Sequence, residues 1–251
     1  MQTYAFPNIE LVTGQTDSDL TICLNPASAP QGLAASKTLA PKAKAWLLTQ
    51  DQPTLVIEPG EAKSTFDCQT QARKWLAKLD GFQPKRIHVQ GRDPAWVKAV
   101  VEVLLARQVQ LPSFKKDTQA PVALERLSTD IALDAPRLLA EARANGLVRW
   151  LSALPASELT PAHYRVILEA LARDHGWQVE LFDQTKLDGL GAGAFLAVSK
   201  GSDNDEAAIM RLRYRPASPK RKVAFVGKGL CFDTGGYNLK TSHMFGMNGD
   251  M

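Results

Sequence analysis

Short β-branched runs alternate with segments of helical periodicity along this chain, and that alternation narrows its fold more than any other feature. Thr54-Leu55-Val56-Ile57-Glu58 is a brief apolar run closed by Pro59-Gly60 and reads as a strand. From Gln69 to Leu79 the apolar positions Ala72, Trp75, Leu76 and Leu79 recur at helical spacing, with Asp80-Gly81 as the stop. Arg86 to Val89 is a second short strand. Asp93 can cap a helix that opens on Pro94 and carries Val97, Val100, Val101, Leu104 and Leu105 along one side. Elements that switch between the two periods in this way build a sheet with helices packed on it, so the fold class is α/β.

The same reading divides the chain. Residues 1–120 form an N-terminal α/β domain with no recognisable catalytic motif; within it His88 reads as a packed side chain and Asp93 as a helix cap. The pattern weakens from Gln110 to Leu133, where Pro112, Pro121 and scattered charges suggest a linker. A helix from Asp134 to Leu151, interrupted at Gly146, completes a linker and bridging segment over 121–150. A second α/β unit occupies 151–251. Thr160-Pro161 starts a helix that stops at His175-Gly176, Trp177–Phe182 is a strand, and Asp183 caps a short helix ending near Gly189. Gly193–Val198, Ala207–Tyr214 and Val223–Val226 are read as further strands.

Bulk properties exclude several classes. The formal net charge of +4 is a mild excess, which disfavours a nucleic-acid partner, since that calls for a dense basic stripe with interleaved aromatics. No apolar run approaches the ~20 residues of a membrane helix. Cys23, Cys68 and Cys231 lack metal or redox spacing, which suits free thiols in a reducing compartment. The N-terminus has no basic segment followed by an apolar stretch, so no secretory signal is read there. These features together imply a cytoplasmic location.

Beyond Val226 the chain becomes unusual. Gly227, Gly229, Gly235 and Gly236 enclose Lys228 and Asp233, and Lys240 and Asp250 follow. Ligand sites of open α/β sheets lie just past the carboxyl ends of strands, which is where this segment falls. The glycine-to-Lys-Ser/Thr spacing of a phosphate loop is absent, and Phe232 stands where a dinucleotide fingerprint needs its third glycine. Asp233-Thr234-Gly235-Gly236 has the look of the phosphate loop of sugar kinases and actin-like ATPases, although those folds begin with that loop. A plain hairpin would explain Gly235-Gly236 but not the gathering of lysines and aspartates.

The longer pattern decides among these. Val226-Gly227-Lys228-Gly229, then Phe232-Asp233-Thr234-Gly235-Gly236, Lys240, Met244, Met247 and Asp250-Met251 closely resemble the signature of the leucyl aminopeptidase family of dinuclear metallopeptidases. Upstream, Leu154-Pro155-Ala156-Ser157-Glu158-Leu159-Thr160-Pro161 and Val198-Ser199-Lys200-Gly201-Ser202 are similar to two further stretches of that family. The stretch from Lys240 to Asp250 is one residue shorter than the family pattern, and Thr241 stands where proline is common. The first 120 residues resemble the family only in position.

That resemblance implies a variable N-terminal domain followed by the first part of a metallopeptidase catalytic domain. It implies an aminopeptidase acting on peptide substrates with two divalent ions, zinc or manganese, and a homo-oligomer, a hexamer in the full-length form. It assigns Asp233 as the ligand bridging both metals, Lys228 and Asp250 as ligands of one of them, and Lys240 as a charged catalytic group at the substrate carbonyl. His243 is read as a loop residue near the cleft. Two metals about 3.5–4 Å apart can activate a water and polarise a carbonyl together. A lysine amine ligates only when deprotonated, which nearby dications enforce. The family's second cluster, N-T-D-A-E-G-R, occurs nowhere in these 251 residues. The expectation is therefore a chain holding three of five family ligands and inactive alone. A non-catalytic binding module is the alternative.

Overall fold

In the computed structural model, residues 4–24, 37–40, 45–48, 53–79, 82–116, 123–202 and 206–242 are described. The chain falls into two compact units, Gln2–Trp150 and Leu151–Met251.

The first unit is built on a seven-stranded sheet. Its strands are β1 (Glu10–Thr13), β2 (Leu20–Leu24), β3 (Lys37–Ala40), β4 (Ala45–Leu48), β5 (Thr54–Ile57), β6 (Arg86–Gln90) and β7 (Arg126–Thr129), in the order β1-β7-β6-β2-β5-β4-β3. The five strands from β1 to β5 in that order pair in parallel, and β4 runs antiparallel to both β5 and β3. Parallel strands covered on both faces read as continuous apolar runs. Accordingly Leu55, Val56 and Ile57 of β5 and Ile87, His88 and Val89 of β6 are all buried.

Two crossover helices, packed against each other, cover one face. Helix α1 (Thr65–Leu76) leads through one 3-10 turn, Ala77–Leu79, toward β6, and α2 (Pro94–Arg107) leads from β6 toward β7. Trp75 of α1 and Trp96 of α2 meet with ring centroids 5.4 Å apart, within the tilted-pair range. Val97, Val100, Val101, Leu104 and Leu105 line the buried side of α2, as the spacing requires, and Asp93 caps it through the Ala95 N–H at 2.9 Å. His88 is buried between Ser128 Oγ, 2.9 Å from Nδ1, and Asp130 Oδ1, 3.1 Å from Nε2, so its reading as a packed side chain agrees with the structure.

Three expectations for this unit are corrected. The helix expected from Gln69 starts at Thr65, because Ser64 accepts from the Asp67 N–H and caps a first turn whose apolar residues are divided, Phe66 exposed and Cys68 buried. The Asp80-Gly81 stop lies outside the described residues. The linker expected over 110–133 contains β7, an interior strand between β1 and β6, so the first domain does not close at 120 but runs to about 150. Helix α3 (Ala135–Ala153) is continuous through Gly146. That glycine serves close approach: a Cβ there would lie 2.5 Å from Tyr4 Oη and 2.8 Å from Val109 Cγ2.

The second unit contains α4 (Pro161–His175), β8 (Gln178–Phe182), α5 (Gln184–Gly189), α6 (Gly193–Ser199) and β9 (Ile209–Arg213). Thr160 caps α4 by accepting from the His163 N–H, and Gly176 ends it in the left-handed conformation at φ 65°. Asp183 caps α5 through the Lys186 N–H at 2.9 Å. Strands β8 and β9 form an antiparallel pair, Gln178 opposite Arg213 and Phe182 opposite Ile209. Two strand expectations fail here. Gly193–Val198 is helical, a short apolar run whose period cannot separate the two states. Val223–Val226 pairs with no strand among the described residues, and Phe225 and Val226 are fully exposed or nearly so.

Candidate functional site

The glycine-rich segment follows β9 as irregular chain, and its geometry is set locally. Gly229 passes over α4: a Cβ there would stand 3.9 Å from Tyr164 Cε1. Beside it Cys231 is half-buried, and burial pushes its thiol above the ordinary range. Burial likewise raises the Tyr164 hydroxyl, with a smaller push from Cys231.

From Asp233 the chain folds back on itself. Asp233 Oδ1 accepts from the Gly235 N–H at 2.8 Å, an aspartate bonding the backbone two residues on. Gly235 sits at φ 91°, and a Cβ there would lie 2.3 Å from the Asn238 carbonyl oxygen, so only glycine fits without displacing backbone. The Lys240 N–H then donates to the Thr234 carbonyl at 2.9 Å. That closure delivers the Lys240 ammonium to Asp233 Oδ2 at 2.6 Å. The Lys240 hydrogen bond is the chief reason the Asp233 carboxyl lies below the usual carboxylate range. The Gly235 N–H and the charges of Lys240 and Lys228 reinforce it. Both side chains are a little over one-third exposed, which leaves the pair reachable from solvent.

The residues singled out from sequence are thus placed unevenly. Asp233 and Lys240 are in contact. Lys228 is exposed and reaches Asp233 through its charge rather than through a bond. Asp250, with His243, Met244 and Met247, lies outside the described residues. Sequence reading missed the turn itself, whose signal was present: an aspartate two residues before a glycine is the pattern of a side-chain-to-backbone turn. It also missed Tyr164 as the floor under Gly229, for which no local signal exists.

A carboxylate and a lysine amine are the oxygen and nitrogen donors that divalent ions of the zinc and manganese kind accept. Asp233 and Lys228 therefore suit a dication in kind. In number they do not complete one, since zinc takes four ligands. Among the described residues no three His, Cys, Asp or Glu side chains gather as a metal site. Among them too, no helix is long and apolar enough to cross a membrane.

Comparison with known proteins adds an independent line. Residues 146–251 match the model of the cytosol aminopeptidase family, catalytic domain. A probable cytosol aminopeptidase of Nostoc punctiforme is 33% identical over 176 residues, covering 67% of this chain and 35% of the relative. One from Sulfurihydrogenibium sp. is 42% identical over 100 residues, covering 40% of this chain and 20% of the relative. The chain thus spans between a fifth and about a third of the length of these curated relatives. Among solved structures, the apo leucyl aminopeptidase of Trypanosoma cruzi superposes with a TM-score of 0.74 at 20% identity, over 96% of this chain and 56% of that one. A bottromycin maturation enzyme in complex with Mn gives a TM-score of 0.61 at 18% identity, over 80% of this chain and 46% of that one. At such identities the structural likeness speaks for the fold.

Proposed function

Residues 146–251 belong to the catalytic domain of the cytosol aminopeptidase family, and from that premise we propose that this chain carries part of the active site of a metal-dependent aminopeptidase that releases N-terminal residues from peptides. The observation that supports it best is the closed turn from Asp233 to Lys240. It fixes a carboxylate and an ammonium against each other inside the segment that matches the family.

In this reading Asp233, Lys228 and Asp250 would hold two divalent ions, zinc or manganese, with Asp233 serving both. Bound there, the ions supply Lewis acidity and an activated water. The chain's own residues do the rest. The Gly235 N–H orients the Asp233 carboxylate through Oδ1. Lys240, tethered by its backbone bond to Thr234, moves its ammonium from Asp233 to the oxygen of the scissile carbonyl. A donor placed in advance where charge develops is worth about 10²–10³ in rate. The 251 residues provide three of the proposed donors, and the chain by itself is expected to be inactive; the assembly proposed is a cytoplasmic hexamer.

The test is hydrolysis of a leucine amide, with manganese or zinc added, by the purified chain and by a fusion to the downstream portion of the Nostoc punctiforme relative. The fusion is expected to turn over and the chain alone not to. In the fusion, Asp233→Ala should lose both metals. Lys240→Ala should keep metal and lose kcat. Full metal content and activity in Asp233→Ala would sink the assignment, and metal loss in Lys240→Ala with activity retained would reverse the roles of the two lysines.

A further inference from the structure

We propose that His88 is a proton-operated clamp: on gaining a proton it tightens its hold on Asp130, and so on the connection that launches α3 from the sheet. Every group the clamp uses lies within the first unit, and it stands apart from the metallopeptidase reading.

The ring sits where a titratable group is uncommon. Its strand is interior, paired in parallel with β2 and β7, and its side chain is 4% exposed. The sheet face it shares is nonetheless polar. The register sets Thr21 of β2 and Ser128 of β7 opposite His88. Alternate residues of a strand share a face, so Cys23 and Gln90 form the next row toward the carboxyl ends, with Asp130 two residues past Ser128. Arg86 and Arg126 form the row before. Arg86 is engaged by Asp17 and Asp19, and Arg126 by Glu10. Burial first, and the Asp130 charge second, push the Cys23 thiol up, which keeps it neutral. Among the described residues, Asp130 is the charged group that meets the ring.

Two bonds fix which nitrogen changes. Nε2 lies 3.1 Å from Asp130 Oδ1, and an ionised carboxylate only accepts, so Nε2 carries a hydrogen whatever the charge of the ring. The proton is therefore gained and lost at Nδ1, 2.9 Å from Ser128 Oγ. A hydroxyl both donates and accepts. With the ring neutral, Ser128 donates to Nδ1; with the ring charged, the Nδ1–H donates to Ser128. Neither state leaves the buried nitrogen without a partner, so the ring can change charge without the penalty of an unsatisfied group.

What differs between the two states is the grip on Asp130. On protonation, a neutral N–H facing a carboxylate becomes half of an ion pair, and opposite charges at this distance attract. Asp130 heads a short connection that is bonded at both ends. The Thr129 carbonyl accepts from the Gly14 N–H at 2.8 Å, and Thr129 Oγ1 donates to the Ile131 carbonyl at 2.7 Å. Asp134 closes the connection by accepting from the Arg137 N–H through Oδ1 and from the Leu138 N–H through its carbonyl. Ile131 and Leu133 between them pack against the core. Helix α3 then runs on to Ala153, within the residues that match the family. A proton on His88 thus acts at the base of the helix that leads into the second unit.

The experiment is amide hydrogen exchange of the full chain by NMR, corrected for intrinsic rates, beside ¹⁵N spectra of the His88 ring. Histidine side chains ordinarily change charge between about pH 5 and 8, so both are recorded at the ends of that interval. At the upper end the ring should be the Nε2–H tautomer, and at the lower end both nitrogens should carry hydrogen. Protection of the Gly14 and Leu138 amides should rise about two- to fivefold on acidification, the range of a partly exposed ion pair. Asp130→Asn keeps an acceptor for Nε2 and removes its charge, at an exposed position that the fold tolerates, and should erase the rise. Ser128→Ala leaves the charged Nδ1–H with no acceptor and should turn the rise into a fall. A ring still neutral at the lower pH, the Nδ1–H tautomer at the upper, or an equal rise in Asp130→Asn would each overturn the clamp.

Discussion

Alanine at Gly235 and alanine at Gly236 should differ sharply, although the residues are neighbours and both have positive φ. Gly236, at φ 65°, lies in the left-handed region, and a methyl group added there would meet nothing within 4 Å. Alanine there pays only the intrinsic cost of that conformation, about 1–2 kcal/mol. Gly235, at φ 91°, carries strain of about 1–3 kcal/mol, and its Cβ would fall 2.3 Å from the Asn238 carbonyl oxygen and 3.2 Å from Lys240 N and Cγ. Backbone must move to relieve that contact, and the atoms that move are those closing the turn. The bond from the Lys240 N–H to Thr234, worth about 1 kcal/mol net, goes with them. The closed turn is then disfavoured by about 2–4 kcal/mol in Gly235→Ala, a factor of roughly 30 to 1,000. Amide hydrogen exchange at Lys240, followed by NMR, reads this directly. Gly235→Ala should abolish its protection, whereas Gly236→Ala should lower it by about tenfold. Equal protection in the two variants would refute the steric argument and with it the claim that the turn places Lys240 on Asp233.

Other consequences are testable with less elaboration. Gly146→Ala should destabilise the first unit by about 1–3 kcal/mol through crowding of Tyr4 and Val109, outweighing the roughly 1 kcal/mol gained in helix propensity, and the penalty measured by urea unfolding should shrink in a Tyr4→Ala background. Asp19 ties the starts of β2 and β6 together, accepting from Lys85 N–H, Arg86 N–H and the Arg86 guanidinium. The Arg86 bond foremost holds its carboxyl below the usual range, so its contribution is fully present above the unfolded value near about 4 and fades as pH falls through the lower folded value. Asp19→Asn should therefore weaken the fold at pH 6 and differ progressively less from the parent on acidification, as read by urea midpoints. His88→Phe strands the buried Ser128 hydroxyl and should cost about 1–3 kcal/mol, whereas pairing it with Ser128→Ala should recover part of the loss.

The fold was legible where one element carries its whole signal. Asp93-Pro94 and Thr160-Pro161 announced two helices because cap and first-turn proline are local chemistry, and Thr54–Ile57 stood out because a covered parallel strand is apolar throughout. It was illegible where identity comes from neighbours. Strand β7, Arg126-Leu127-Ser128-Thr129, has one aliphatic residue in four and is a strand because β1 and β6 flank it. Its buried Ser128 is tolerated because His88 on the next strand bonds it, a partner forty positions away. Gly193–Ser199 failed in the other direction: a short run of apolar residues satisfies either period, and the Leu196 N–H bond to Ala192 settles it as helix.

The candidate site follows the same division, and this explains why its residues could be named before their arrangement was known. Asp233, Gly235 and Lys240 were picked out by type and spacing, yet spacing alone left Lys240 free to point anywhere. The Asp233 side-chain bond to Gly235, the positive φ of Gly235 and the Lys240 backbone bond to Thr234 are all made within eight residues, and together they leave the ammonium beside the carboxylate. Lys228 has no such closure: it lies before the turn, on exposed chain, and meets Asp233 only through its field. A residue placed by its own loop is readable from sequence once the loop's chemistry is worked through, whereas one placed by distant chain is not. On that ground the closed backbone turn should persist in any context that preserves residues 233–240, keeping Lys240 within reach of Asp233, and the position of Lys228 should depend on what packs against Val223–Val226.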